Sequence, residues 1–208
     1  SCIMLKGITA EYLLHRAYPI KKGDKILYHA AAGGVGQILC QWANALGAEV
    51  IGTVGSKEKE AIAKKNGCHH VINYTDTNFV EEVEKIAGKN GIDVVYDGVG
   101  IKTFDGSIET LKVRGMMVAF GNASGYVDTI DVKKHINAKG LFFTRPSIAH
   151  YTMTREELVE SAKKVFDAIL SGKFKVEISK RYLLTDAKKA HEELEARLLT
   201  GPAVIIPN

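Results

Sequence analysis

A glycine-rich turn, AAAGGVGQ at residues 30–37, is the clearest sign of chemistry in the sequence. Aligned on the dinucleotide-binding pattern G-x-G-x-x-G, its three glycine positions are Ala31, Gly33 and Gly36. Gly33 would let a pyrophosphate approach the backbone N–H groups, and Gly36 would let the following helix pack closely on the preceding strand. Ala31 stands where the first glycine is expected, and alanine fits there if its φ angle is negative.

The segment VGSKEKE, residues 54–60, bears on the choice of nicotinamide cofactor. An NAD-preferring site usually has a carboxylate at this strand end, about 20 residues after the glycines. Here Gly55 and Ser56 are small or polar, and Lys59 follows. The nearest acid, Glu58, falls within the next predicted helix. A hydroxyl and lysines suit a 2′-phosphate, so the sequence predicts NADPH rather than NADH; the alternative interpretation of Lys59 is an ordinary surface lysine.

These residues need a scaffold, and apolar strand-like segments alternate with helical patterns through the middle of the chain. The segments interpreted as strands are residues 25–32, 49–54, 70–73, 92–100, 115–125 and 140–147. Near-continuous apolar strands separated by helices predict a six-stranded parallel sheet with helices on both faces, the doubly wound (Rossmann) fold of the α/β class. A glycine turn that opens a helix inside a βαβ unit favours phosphate binding, and a tight turn without a ligand is the alternative.

The two ends of the chain exceed what a six-stranded domain requires. We expect a lead-in helix in residues 1–20, the dinucleotide-binding domain in residues 21–150, and a helix-strand-helix-strand segment in residues 151–208. In the last segment, Thr154 and Glu157 have the T-x-x-E spacing of a capping box at the start of a helix.

Composition narrows the functional classes. The 208 residues are 46% hydrophobic and 25% charged, with a formal net charge of +4 and three cysteines. This composition is typical of a globular protein, and no apolar run approaches the ~18–20 residues of a transmembrane helix. Three widely spaced cysteines predict neither a zinc cluster nor a disulfide framework, so no metal site is expected. With no signal-peptide pattern and no basic recognition motif, we expect a cytoplasmic protein that binds neither membranes nor nucleic acid.

Several motifs occur in an order and at a spacing typical of one family. They are AAAGGVGQ, IGTVGS, VINY, VVYDGVG, MVAFGNASG, TRPS and LEARLLTGPAVIIP. Over essentially its whole length, the chain resembles the quinone oxidoreductase (zeta-crystallin-like) branch of the medium-chain dehydrogenase/reductase superfamily. In this branch the phosphate turn typically has alanine where Ala31 stands.

The resemblance implies NADPH-dependent reduction of a quinone or an activated alkene without catalytic zinc. By position it also implies a set of cofactor contacts. These are Gly33, Gly34 and Val35 at the pyrophosphate, Ser56, Lys59 and Tyr74 around the 2′-phosphate, Phe120, Gly121 and Asn122 along the nicotinamide ribose, Phe143 near the nicotinamide, and Arg197 from the terminal segment. The alternatives are a strand-end aromatic for Tyr74, a core or interface residue for Phe143, and a solvated helix residue for Arg197. No catalytic acid, base or nucleophile is identified.

Members of this branch carry an N-terminal, chaperonin-10-like (GroES-like) catalytic domain before the segment that matches Ser1. We therefore expect the chain to be the cofactor-binding part of an oxidoreductase, poorly active alone, with its terminal elements folding towards that domain. The alternatives are an enoyl reductase of the same superfamily and a stand-alone NADPH-binding module without turnover. The apolar stretch GLFFT, residues 140–144, predicts a homodimer through the edge of strand six.

Overall fold

The computed structural model of the chain describes residues 3–196, 198–199 and 201–207. Helices and strands alternate along it. The strands are β1 (Lys25–His29), β2 (Glu49–Val54), β3 (His70–Asn73), β4 (Ile92–Asp97), β5 (Leu111–Ala119), β6 (Phe142–Thr144), β7 (Lys180–Leu183) and β8 (Ala203–Ile206). The α-helices are α1 (Met4–Tyr12), α2 (Gly34–Ala45), α3 (Lys57–Lys65), α4 (Phe79–Ala87), α5 (Phe104–Thr110), α6 (Ile148–Tyr151), α7 (Arg155–Leu170) and α8 (Ala187–Glu195). Short π-helical turns cover Leu13–Ala17 and Val132–Asn137, and a 3₁₀ turn covers Leu184–Asp186.

The first six strands form one parallel sheet in the order β3-β2-β1-β4-β5-β6. This order confirms the predicted doubly wound fold. The central strand β1 pairs on both sides, with Leu27 opposite Ile51 of β2 and Val95 of β4. The strand order reverses between β1 and β4, which makes this the topological switch point of the sheet. Ligands of such sheets bind at the switch point, outside the carboxyl ends of the strands.

The sheet separates two apolar clusters because successive side chains of a strand point to opposite faces. Ile26 and Tyr28 of β1 lie in the cluster that also receives α1, α2 and α7. Leu27, between them in sequence, lies in the other cluster, which receives α4 and α5. Burial on both faces explains why the strands are apolar at nearly every position.

Some element bounds differ from those predicted. Strand β6 is shorter than residues 140–147, since Gly140 has a left-handed φ of 56° and Pro146 has no N–H to donate to a ladder. Helix α4 begins at Phe79 because the side chain of Asn78 caps it, accepting a hydrogen bond from the N–H of Val80 at 3.0 Å.

The described parts of the terminal segments form further helices and strands. Helix α1 packs against α2 and α7, and α7 starts with the predicted capping box of Thr154 and Glu157. Strands β7 and β8 pair in parallel as a separate two-stranded sheet. In the described part of the chain, every helix is too short or too polar to cross a bilayer.

Candidate functional site

The glycine-rich turn joins the end of β1 to the start of α2. Ala30 has a left-handed φ of 63°, and the N–H of Gly33 donates to the carbonyl of Ala30 at 2.8 Å, which closes the turn. Gly33 is the N-cap of α2, so the unpaired N–H groups and the positive end of the helix dipole face the open side of the turn.

Ala31 is fully buried, and its N–H donates to the carbonyl of Thr53 at 2.9 Å. Its φ is not positive, since the left-handed residue of the turn is its neighbour Ala30. The condition under which alanine fits the first glycine position is therefore met. Its methyl group lies against Gly52 of β2, where an ideal Cβ would stand 2.6 Å from the Ala31 Cβ.

The two glycines of the pattern serve different purposes. An ideal Cβ on Gly36 would lie 2.5 Å from the Ala31 carbonyl oxygen, so only glycine lets α2 pack this closely on β1. An ideal Cβ on Gly33 would lie 3.0 Å from the Ala30 oxygen, and Gly33 itself is exposed. Its missing side chain leaves the open side of the turn accessible to a ligand.

The residues predicted for the 2′-phosphate lie together beyond the end of β2. An ideal Cβ on Gly55 would lie 2.5 Å from the Tyr74 hydroxyl, so the phenol lies directly over this glycine. The N–H of Lys59 donates to the carbonyl of Ser56 at 3.2 Å in the first turn of α3, and the Lys59 side chain is exposed. A hydrogen bond from the Ser56 hydroxyl lowers the pKa of Glu58, so that carboxylate stays ionised beside the cluster.

Two neighbouring cavities follow the carboxyl edge of β1, β4 and β5. A cavity of about 340 Å³ is lined by Gly121, Asn122 and Phe143 of the predicted set. Phe143 is partly buried, and its ring packs edge-on against Phe104 with centroids 6.2 Å apart. Phe143 therefore combines a core contact with a position on the cavity wall.

The second cavity is an open groove of about 730 Å³, lined by Gly34, Val35 and Phe120 of the predicted set. It is also lined by Lys6, Tyr12 and Arg145, which were not among the predicted cofactor contacts. Arg145 lines both cavities. Burial, with a contribution from Tyr151, raises the pKa of Tyr12 to about 12, so this phenol is a neutral donor at the groove wall.

A buried network of hydrogen bonds joins the end of β1, just before the turn, to β2 and α5. His29, the last residue of β1, has its Nδ1 2.9 Å from the Thr53 hydroxyl and its Nε2 2.9 Å from the Ser107 hydroxyl. Asp97 accepts from the Thr103 hydroxyl at 2.8 Å and from the Ser107 hydroxyl at 3.4 Å. Burial lowers the pKa of His29, so its imidazole is neutral and links β1, β2 and α5.

Arg197, the remaining predicted contact, lies outside the described residues. Within the described ranges, no three or more His, Cys, Asp and Glu side chains lie close enough together to hold a metal ion. A zinc site takes three or four such ligands, so the donor set of these residues does not fit zinc.

The sheet order and its glycine turn define an α/β domain of the Rossmann, dinucleotide-binding class. The chain belongs to the zinc-binding dehydrogenase family, whose family model matches residues 34–170. It is 48% identical over 206 residues to a quinone oxidoreductase of Salmonella typhimurium, a match that covers 98% of this chain and 63% of that protein. It is 46% identical over 206 residues to a 2-haloacrylate reductase of a Burkholderia species, covering 99% of this chain and 62% of that protein.

Among solved structures, the quinone oxidoreductase of Escherichia coli complexed with NADPH superposes with a TM-score of 0.89 at 47% identity. The match covers 98% of this chain and 63% of that one. These similarities confirm the resemblance to the quinone oxidoreductase branch. The chain spans less than two thirds of the length of these relatives.

Proposed function

We propose that the chain is the cofactor-binding part of an NADPH-dependent quinone oxidoreductase. The observation that carries this proposal is the arrangement of the predicted residues along one edge of the sheet. The glycine turn at β1, the Ser56–Lys59–Tyr74 cluster after β2, and the cavities beside β4 and β5 lie at the carboxyl ends of the strands. This is the edge at which doubly wound sheets bind dinucleotides, with the pyrophosphate at the turn.

The residues present fit NADPH. The turn offers a helix N-terminus with no side chain on Gly33, which suits a pyrophosphate. In this proposal Gly34 and Val35 lie beside the pyrophosphate, and the Ser56 hydroxyl and Lys59 ammonium hold the 2′-phosphate. The Tyr74 phenol, packed over Gly55, supports the adenosine ribose. When bound, NADPH supplies the hydride for reduction.

The nicotinamide half would occupy the two cavities further along the sheet edge. Phe120, Gly121 and Asn122 would lie along the nicotinamide ribose, with Phe143 beside the nicotinamide ring. In this proposal Arg197 approaches the cofactor from the terminal segment.

Cofactor preference tests this proposal through the 2′-phosphate. Titration by the fluorescence of bound cofactor is expected to give tighter binding of NADPH than of NADH. Replacing Lys59 with methionine removes a charge-assisted contact, so NADPH affinity is expected to fall about tenfold while NADH affinity stays the same. Lys163 of α7 is also exposed, so Lys163→Met is the matched control for the loss of a lysine charge. Equal or tighter binding of NADH by the unmodified chain would contradict the proposal.

The electron acceptor is proposed as a quinone, and an activated alkene is the second candidate. The similarity to a 2-haloacrylate reductase at 46% identity favours the alkene, and the similarity to quinone oxidoreductases at 48% favours the quinone. NADPH oxidation measured at 340 nm with 1,4-benzoquinone and with 2-chloroacrylate distinguishes the two. Because the chain spans only part of its relatives, we expect slow turnover with either acceptor. A stand-alone binding module without turnover would give NADPH binding and no oxidation with any acceptor.

The terminal segments support an oxidoreductase part over a stand-alone module. Strands β7 and β8, helix α8 and the 3₁₀ turn before it leave several large apolar side chains exposed to solvent. These are Leu183, Leu184, Leu194, Ile205 and Ile206. In this proposal, residues 21–150 form the cofactor domain, and residues 1–20 and 151–208 are the segments that complete the larger enzyme.

We also propose a homodimer formed through strand β6. This strand is the edge of the sheet, and Phe142 on it is 56% exposed. An exposed apolar edge strand favours pairing with a second copy. Light scattering is expected to give the mass of a dimer for the unmodified chain and of a monomer for Phe142→Glu. A monomer for the unmodified chain would exclude this arrangement.

The buried free thiols of Cys40 and Cys68 support a reducing, cytoplasmic location.

A further inference from the structure

Lys6 of α1 lies directly over the phosphate turn. Its Cε is 2.6 Å and its Nζ 2.8 Å from the position that an ideal Cβ on Gly34 would occupy. The side chain thus fills the space that any other residue at position 34 would need. The backbone of α1 is held close by its packing on α7, since an ideal Cβ on Gly7 would lie 2.7 Å from Val165 Cγ1.

The ammonium of Lys6 stands in an unfavourable electrostatic position unless an anion is present. It lies at the positive end of the α2 dipole, where a cation is destabilised. Among the ion pairs of the described residues, none includes Lys6, although the residue is half-buried. The groove beside it is lined by Arg145 and His150 and, within the described ranges, by no carboxylate.

We propose that Lys6 is a direct ligand of the cofactor pyrophosphate, contributing its ammonium beside the N–H groups at the start of α2. This assignment rests on the proposed function, because it takes the turn to be the pyrophosphate site. The bound pyrophosphate supplies the negative charge that the Lys6 ammonium and the helix N-terminus lack. Lys6 is thus a binding residue contributed by the lead-in helix, outside the glycine motif.

Two probes separate a pyrophosphate contact from a general effect on the site. NADPH contains the pyrophosphate, whereas adenosine 2′-monophosphate has the adenine and the 2′-phosphate without it. We expect Lys6→Met to weaken NADPH binding about tenfold, equivalent to about 1.4 kcal/mol, and to leave the affinity for adenosine 2′-monophosphate unchanged. Lys6→Arg, which keeps the charge, is expected to retain most of the NADPH affinity. Lys163→Met is the control for loss of one lysine charge elsewhere.

Isothermal titration calorimetry of the four proteins decides between the outcomes. Wild-type NADPH affinity in Lys6→Met would overturn the assignment, as would an equal loss for both probes, which would indicate a distorted site. If Lys6→Arg lost as much affinity as Lys6→Met, the charge would not be the cause, and the assignment would also fail. Binding of neither probe by the unmodified chain would instead refute the proposed function itself, and the role of Lys6 with it.

Discussion

Gly36→Ala is expected to destabilise the folded chain and to distort the phosphate turn. The added methyl would lie 2.5 Å from the Ala31 oxygen and 2.8 Å from the Ala30 oxygen. Both oxygens belong to the backbone, so no side-chain rotation relieves the contact. Helix α2 must then move away from β1, and its N-terminal N–H groups move with it.

The size of the effect follows from two opposing contributions. Overpacking in a closely packed region costs about 1–3 kcal/mol, and backbone contacts place this case at the upper end. Alanine is better than glycine inside a helix by about 1 kcal/mol, which offsets part of the cost. The free energy of unfolding is therefore expected to fall by about 1–2 kcal/mol, which lowers the Tm by about 2–8 °C in a chain of this size.

Thermal unfolding followed by circular dichroism, together with NADPH titration, checks this expectation. Gly33→Ala is the matched control, because its methyl would lie 3.0 Å from the Ala30 oxygen at an exposed position. This control is expected to change the Tm little and to weaken NADPH binding by covering the approach to the turn. If Gly36→Ala kept both the Tm and the NADPH affinity of the unmodified chain, close packing of α2 on β1 would not be what requires glycine there.

Three further changes test the surroundings of the site. Burial lowers the pKa of His29, so the unfolded chain binds more protons in acid than the folded chain does. Urea titrations are therefore expected to show that the free energy of unfolding falls as the pH drops below about 6.5. The fall is expected to be smaller in His29→Gln. Ala30→Gly removes a left-handed alanine at φ 63° and is expected to raise the Tm, since that conformation costs alanine about 1–2 kcal/mol. Thr154→Ala removes the hydroxyl that accepts from the Glu157 N–H at 3.2 Å, and calorimetry is expected to show a loss of about 1 kcal/mol. A Tm equal to that of the unmodified chain would contradict either of the last two expectations.

The sequence was sufficient for features that local patterns determine. The apolar segments predicted the parallel sheet because strands buried on both faces cannot carry alternating polar residues. The T-x-x-E spacing predicted the start of α7 because the two residues of a capping box lie within one helical turn. The bounds of β6 depend on Gly140 before the strand and Pro146 after it, two local effects that an apolar run alone does not reveal.

The sequence patterns could not predict contacts between residues that are far apart in the chain. Lys6 precedes Gly34 by 28 positions, and only the packing of α1 on α2 and α7 brings it over this glycine. Arg145 follows β6 and lines the same groove. Lys6 belongs to none of the motifs and Arg145 lies in TRPS, but no local pattern places either side chain in the groove, so their positions could be found only once the helices and strands had been assembled.

Ala31, at the first glycine position of the motif, fits because a glycine on the neighbouring strand leaves room for its methyl group. The Ala31 methyl lies against Gly52 on the neighbouring strand, where an ideal Cβ would be 2.6 Å from it and 2.6 Å from Cys68 Sγ. Space for the Ala31 methyl therefore exists because Gly52 of β2 has no side chain. The left-handed conformation that a glycine pattern usually accommodates falls instead on exposed Ala30, which leaves buried Ala31 without a positive φ. The left-handed conformation thus lies at Ala30 and the missing side chain at Gly52, and the turn is closed by the hydrogen bond from Gly33 to Ala30.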